Sequence, residues 1–253
     1  MEAVMKQKKS WYRNWFNSPY YHLLYFQRDE QEAAAFIDGL LTKLQPSPDS
    51  KMLDVACGRG RHSIYLASKG FFVTGIDISE ESIEEALQHA TDRLEFFVHD
   101  MRLPFRMNYY DVAFNFFTSF GYFRTRREHD NSIRTIAQSL KPGGVFVIDY
   151  LNTHYVENHI TYKSEIEKGG VTFDITRWLD ETHFYKKIVV EDESKLDEPL
   201  IYTEKVAKFS LGDFNDMFAF HGLQVQEVFG DYSLGIYDTK NSPRLIIVAR
   251  KMK

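Results

Sequence analysis

The sequence predicts an α/β protein built on a doubly wound, mostly parallel sheet of seven strands, with an antiparallel β insertion after the fifth strand. Three observations carry this. Residues 52–79 run MLDVACGRGRHSIYLASKGFFVTGIDIS, which reads as buried strand, glycine-containing turn, helix, strand and acid. Short apolar strands then keep alternating with amphipathic helices as far as Tyr150, the pattern of a parallel sheet covered on both faces. Beyond residue 159 the hydrophobic period shortens to two, as expected for a meander with one wet face. A chain of 253 residues can bury the core of one good-sized domain spanning 1–253.

Residues 1–28 hold Trp11, Tyr12, Trp15, Phe16, Tyr20, Tyr21, Leu23, Leu24, Tyr25 and Phe26, too apolar for a free tail, so the segment is expected to dock as an aromatic lid or a capping helix. Asp29 can cap a helix running to about Leu44, with Ala33, Phe36, Ile37, Leu40, Leu41 and Leu44 on one face and Pro46 and Pro48 ending it. Met52–Ala56 is the first strand, His62–Lys69 a helix stopped at Gly70, and Phe71–Ile76 the second strand. Ser79 then caps a helix to about Ala90, with Glu80 and Glu81 in its first turn and Ile83, Ala86, Leu87 and Ala90 as its stripe.

Leu94–Val98 and Asp111–Phe116 are the third and fourth strands. A helix over Glu128–Leu140 is closed by Lys141-Pro142-Gly143-Gly144 before the fifth strand, Val145–Tyr150. The insertion, 159–209, shows strands at Ile160–Lys168, Val171–Leu179, Thr182–Glu191 and Ile201–Phe209, split by turns at Gly169-Gly170, at Asp180-Glu181 and across the acidic loop Asp192–Pro199. Ser210 caps a helix to about His221, and strands at Val225–Phe229 and Leu245–Ala249 close the sheet.

Composition narrows the function classes. Net charge is −5 with both signs dispersed, so no basic field is available for a nucleic-acid backbone; Arg124, Arg126 and Arg127 form a local patch that reads more simply as a solvated helix entry. A single cysteine, Cys57, forbids an internal disulfide and fits a reducing, cytoplasmic location. No Cys/His spacing suggests a metal, no apolar run is long enough to cross a bilayer, and no secretory leader follows Lys6, Lys8 and Lys9.

The chemistry resides in Met52–Ser79. A turn poor in side chains turns backbone N–H groups and a helix N-terminus toward a polar ligand, and Asp77, about twenty residues past the first glycine, suits both hydroxyls of a ribose. Asp54 stands inside an apolar strand, where a lone carboxylate needs a donor. A dinucleotide-binding oxidoreductase shares this layout, but Ser63 replaces the third glycine of its turn, and Asp54 sits where that fold keeps an apolar residue.

LDVACGRG, TGIDIS, HDM and LKPGGVFVID, in this order across roughly residues 50–150, together resemble the class I S-adenosylmethionine-dependent methyltransferases, particularly the small-molecule enzymes of the aminosugar N-methyltransferase and glycine-methyltransferase type. The resemblance implies a Rossmann-like methyltransferase fold, S-adenosyl-L-methionine as cofactor and in-line methyl transfer to a small-molecule acceptor. It also implies roles for individual residues. Ala56, Cys57, Gly58 and Gly60 form the cofactor turn, Ala56 standing where the family usually has its first glycine. Asp54 anchors the turn and the cofactor's amino group, unless it only caps the turn's own N–H groups; Arg61 pairs with the methionine carboxylate or is simply exposed. Asp77 takes the ribose, Asp100 the adenine amino group, Ile78 and Met101 sandwich the ring, and Asn115 and Phe116 complete the pocket. Asn115-Phe116-Phe117-Thr118 falls where related enzymes carry Asn/Asp-Pro-Pro-aromatic, and only the asparagine matches. Cys57 reads as a small turn residue rather than a nucleophile.

Candidate general bases are Tyr21, His22 and His154, each competing with a plainer role as a wall. An NAD(P)-dependent oxidoreductase and a non-catalytic S-adenosylmethionine-binding protein are the alternatives. The acceptor, the atom methylated and the oligomeric state, with a homodimer as one outcome, stay open at this stage.

Overall fold

A computed structural model describes residues 11–25 and 30–252. Seven strands form the main sheet: β1 (Lys51–Val55), β2 (Phe72–Asp77), β3 (Leu94–Val98), β4 (Tyr110–Asn115), β5 (Leu140–Leu151), β10 (Leu223–Phe229) and β11 (Arg244–Lys251). Their order is β10-β11-β5-β4-β1-β2-β3. The first five pair in parallel, while β11 runs antiparallel between β5 and β10. β1 pairs with β2 on one side and β4 on the other, so the winding reverses between β1 and β4. That reversal opens a crevice over the strands' carboxyl ends.

Both faces of the sheet are buried, and the strands alternate between them. Val147, Ile246 and Val248 pack with Phe36, Ile37 and Leu40 of α3 (Glu30–Leu44), Leu66 of α4 (Arg61–Ser68) and Ile83 and Ala86 of α5 (Glu80–Leu87). Phe146, Ile148 and Ile247 pack on the opposite face with Ile133, Ile136 and Ala137 of α6 (Arg126–Ser139) and Phe214, Met217 and Phe218 of α8 (Leu211–Phe220). Thr125 with Glu128 and Ser210 with Asp213 form capping boxes at the starts of α6 and α8. The arginine patch is the solvated entry to α6, with Arg126 pairing with Asp213 at 3.3 Å and Asp130 at 3.7 Å.

The insertion is a separate four-stranded meander: β6 (Lys163–Lys168), β7 (Val171–Leu179), β8 (His183–Glu191) and β9 (Leu200–Ala207), every neighbour antiparallel. Its apolar face carries Phe173, Ile175, Ile188 and Val190. The N-terminal segment docks there as two short helices, α1 (Trp11–Phe16) and α2 (Pro19–Tyr25), burying Trp15, Tyr20 and Leu24.

Four details differ from the sequence expectations. α5 stops at Leu87, so Leu87 is 48 % exposed and Ala90 is exposed too, instead of extending the buried stripe. β5 begins at Leu140, because Lys141–Gly144 already runs beside β4 through an irregular register. A six-residue helix, α7 (Thr153–Asn158), follows β5 where none was expected; fewer than two turns of helix leave little periodicity to read. The described part of the aromatic N-terminus, read as a lid or a capping helix, is two short helices. Asp29, read as the cap of α3, lies outside the described residues, as do residues 1–10 and 26–28 of the aromatic segment.

Candidate active site

The turn after β1 owes its shape to three left-handed residues: Ala56 at φ +61°, Gly58 at +56° and Gly60 at +80°. Gly60 is required sterically as well, since a Cβ there would stand 2.6 Å from the Phe96 ring. At Gly58 a Cβ would meet no protein atom within 4 Å, and the residue lines a cavity of about 970 Å³. Ala56 holds a conformation that costs a non-glycine residue about 1–2 kcal/mol, so the turn is shaped at the expense of local strain.

Two carboxylates secure this turn. Asp77 accepts from Gly58 N at 2.9 Å and from Ser79 N at 2.8 Å, tying the end of β2 to the turn and to the start of α5. Burial raises its pKa, against the opposing pull of those backbone donors. Asp54 is 1 % exposed, accepts from Ser63 Oγ at 2.6 Å, and has its pKa pushed up to about 6, mainly by burial, with the Ser63 bond opposing and Asp77 adding to the rise. The serine that replaces the dinucleotide turn's third glycine is thus the donor that Asp54 needed.

Ala56, Cys57, Gly58, Arg61, Asp77, Ile78, Asp100, Met101 and Phe116 all line the cavity, as do Tyr21 and His22. Four candidates do not. Asp54 lies beneath the turn, and Gly60 is the turn residue that packs on the Phe96 ring, away from the cavity. Asn115 is buried between strands, its Nδ2 donating to Val55 O at 2.9 Å, so its side chain clamps β4 to β1. His154 is exposed on α7, because Asn152 ties the chain after β5 to Thr239 O at 3.0 Å and Ser242 O at 2.7 Å and the new helix starts there. Asp100 faces the cavity with its carboxylate held by Arg102, which also reaches Glu128; the contacts are 2.6 Å in both cases. Cys57 is buried beside Asp54 and Asp77, which raises its thiol pKa well above the ordinary value and disqualifies it as a nucleophile.

Several cavity residues were not anticipated. Phe117 and Thr118 follow β4 with φ of +54° and +58°, and for a β-branched threonine that is strained. Asp149, fully buried at the end of β5, holds them: Oδ2 accepts from Phe117 N at 2.8 Å and Tyr232 OH at 3.1 Å, while Oδ1 accepts from Arg244 Nε at 2.7 Å. Arg244 in turn donates to Thr118 Oγ1 at 2.9 Å. His62 stacks on Phe117 with ring centres 5.1 Å apart.

Across the cavity, Glu204 of β9 is 8 % exposed and accepts from Trp15 Nε1 and Tyr25 OH, each at 2.7 Å, on the same oxygen. Lys186 of β8 donates to Tyr25 OH and sits 4.0 Å from the other oxygen of Glu204. Burial, then Glu204, raises the Tyr25 pKa well above its usual value. One signal for this cluster was present in the sequence. Lys186 falls in phase with Ile188 and Val190, and Glu204 in phase with Val206, so each is a charge on the apolar face of its strand, and the two are directly paired across the ladder.

A doubly wound sheet, a strained glycine turn at its switch point and an acid at the end of β2 define a protein of the Rossmann-like nucleotide-cofactor class. Residues 46–201 match the family model described as a methyltransferase domain. The chain belongs to that family, and its class is that of the S-adenosylmethionine-dependent methyltransferases. It is 28 % identical over 177 residues to glycine N-methyltransferase of Rattus norvegicus, 60 % of each chain. It is 33 % identical over 133 residues to the dTDP-3-amino-3,4,6-trideoxy-alpha-D-glucopyranose N,N-dimethyltransferase of Streptomyces venezuelae, 51 % of this chain and 54 % of that one. It therefore spans about three fifths and about half of these relatives' lengths. In fold it is similar to an S-adenosylmethionine-dependent methyltransferase from Clostridium acetobutylicum ATCC 824, with a TM-score of 0.76 and 18 % identity over 92 % of this chain and 96 % of the other.

Proposed function

We propose that the protein transfers a methyl group from S-adenosylmethionine to an amine nitrogen of a small cytosolic molecule, beneath a roof formed by α1, α2 and the insertion. The observation that carries this is the continuity of one cavity, whose walls include the cofactor turn and Asp77 as well as Tyr25, Lys186, Glu204 and Arg244. The amine preference draws on the two N-methyltransferase relatives.

The residues present fit the cofactor: Gly58 leaves open space where a side chain would stand, and Asp77 keeps acceptor capacity toward the cavity beyond its two backbone bonds. Asp77 would hold the ribose, Ile78 and Met101 the adenine ring, Asp100 its amino group and Arg61 the methionine carboxylate, with Asp54 supporting the turn from below. Bound there, the cofactor supplies a methyl group on a sulfonium, whose leaving thioether needs no protonation. The protein's work is then to hold the acceptor in line, exclude water and, for an amine that arrives protonated, let the proton pass to a base or to water before the nitrogen attacks. Phe16, Tyr21, Phe117 and Tyr122 supply aromatic walls for that purpose. His22 has its pKa lowered to about 4, first by burial and then by Arg59, which makes it a poor base at neutral pH and better suited as a wall.

The test is calorimetry with S-adenosylmethionine, S-adenosylhomocysteine and NAD side by side, followed by a screen of small amines with labelled methyl donor. Binding of the first two and label in an amine product are expected. Binding of NAD alone overturns the reading.

A further inference from the structure

The carboxylates around the cavity are not in equivalent states. Asp77 has both oxygens on backbone N–H groups, and Asp100 has both on Arg102. Glu85 sits at the rim in an ion pair with Arg59 at 2.9 Å, its side chain half exposed. Glu204 divides its oxygens. Oε1 receives both lid donors, Trp15 and Tyr25, whereas Oε2 has no hydrogen bond among the described residues; its nearest cation, Lys186 Nζ, stands at 4.0 Å, beyond hydrogen-bond reach. Oε2 keeps some exposure and Glu204 lines the cavity, so a ligand's donor can take the place of water on this oxygen.

We infer that Glu204 is the acceptor-recognising residue: Oε1 latches the N-terminal helices while Oε2 receives the ammonium of an amine acceptor. The inference rests on the methyltransferase reading of the cavity and adds a selectivity to it. A charged donor makes a bond roughly twice as strong as a neutral hydroxyl. An amine is therefore preferred over the alcohol of the same shape. Lys186 is the competing cation and sets how much of the Glu204 charge remains for the ligand.

The experiment uses the full chain loaded with S-adenosylhomocysteine and three matched pairs: ethanolamine and ethylene glycol, glucosamine and glucose, and glycine and glycolate. Binding is followed by calorimetry in the wild type, Glu204→Gln and Lys186→Gln. Glutamine keeps an oxygen for Trp15 and Tyr25, and S-adenosylhomocysteine affinity measured on the same samples shows whether each variant is folded. The wild type is expected to bind an amine roughly tenfold or more tightly than its partner, a charge-assisted hydrogen bond's worth. Glu204→Gln is expected to abolish that ratio and Lys186→Gln to raise it. Amine preference that survives in Glu204→Gln overturns the role of Glu204 and leaves the amine reading standing. Equal binding of both members of every pair by the wild type overturns both, and failure to bind S-adenosylhomocysteine overturns the methyltransferase reading itself.

Discussion

The two ends of the cavity are built in opposite ways. The end at the glycine turn is made almost entirely from residues 52–101, through backbone conformation, one tight turn and carboxylates that grip N–H groups of the same stretch. The end under the insertion is made from side chains drawn from positions 15–25, 117–118, 186, 204 and 244, and its hydrogen bonds span long stretches of sequence, as from Trp15 to Glu204. The first owes its shape to local geometry and tolerates little change in it. The second owes its shape to how separate layers pack.

Substitutions can separate these two dependences. The largest effect is expected from Gly60→Ala, which combines a left-handed alanine with a Cβ 2.6 Å from Phe96. About 3 kcal/mol of stability should be lost, seen as a fall in denaturant midpoint together with weakened S-adenosylhomocysteine binding. A midpoint within experimental error of the wild type would refute the steric reading of the turn.

Next comes the charge of Asp54. Its folded pKa of about 6 lies above its ordinary value of 3.8, so between these pH values the folded state holds more protons than the unfolded one. Stability attributable to Asp54 is then greatest below about pH 4, falls as pH rises toward 6, and above that is lower by roughly 2–3 kcal/mol. Asp54→Asn should remove this fall and raise stability at pH 7–8. His22 runs the other way: its folded pKa, near 4, lies below the ordinary 6.5, so its contribution is present above about pH 6.5 and disappears as pH falls toward 4. Unfolding curves across pH 4–8 for Asp54→Asn and His22→Gln, each against the wild type, separate the two.

A smaller effect is expected at Asp77. Asp77→Asn should weaken S-adenosylhomocysteine binding tenfold or more, about 1.5–3 kcal/mol for bonds to a charged group, as read by calorimetry. The smallest is Trp15→Phe, which keeps the ring in its pocket and removes one of two donors to the same Glu204 oxygen, for about 1.5 kcal/mol, the low end for a bond to a charged group. That variant should leave S-adenosylhomocysteine affinity unchanged while weakening acceptor binding. Equal loss at both ends would erase the distinction drawn between them.

The same contrast explains what could be read from the sequence. The seven strands, the meander, the caps at Ser79 and Ser210, and the turn between Asp54 and Asp77 are encoded by neighbours in the chain, so periodicity and spacing expose them. His154 was placed at the cavity because it follows β5, and the short helix that carries it outward has too few residues to announce itself. Asn115 was assigned to the ligand by position, whereas its amide answers a local demand, the Val55 carbonyl. Asp149 reads as one more acid at a strand end, and its hold on Phe117, Thr118, Tyr232 and Arg244 exists only once β5 and β11 are paired. Lys186 and Glu204 did leave a trace, as charges in phase with an apolar stripe. Naming their partner required knowing that Trp15 and Tyr25 pack on that face.

The small hydrophobic cluster beneath α1 and α2 carries a consequence for where substitutions are felt. Trp15, Phe173, Ile175, Ile188 and Val190 form a nucleus distinct from the two that flank the main sheet. Substitutions at well-separated sites without shared partners add nearly independently. Substitutions at Phe173, Ile175, Ile188 or Val190 are therefore expected to act largely on the N-terminal helices, whereas those at Val206 and Ala207 of β9, which pack with the main sheet, are expected to be felt in both layers.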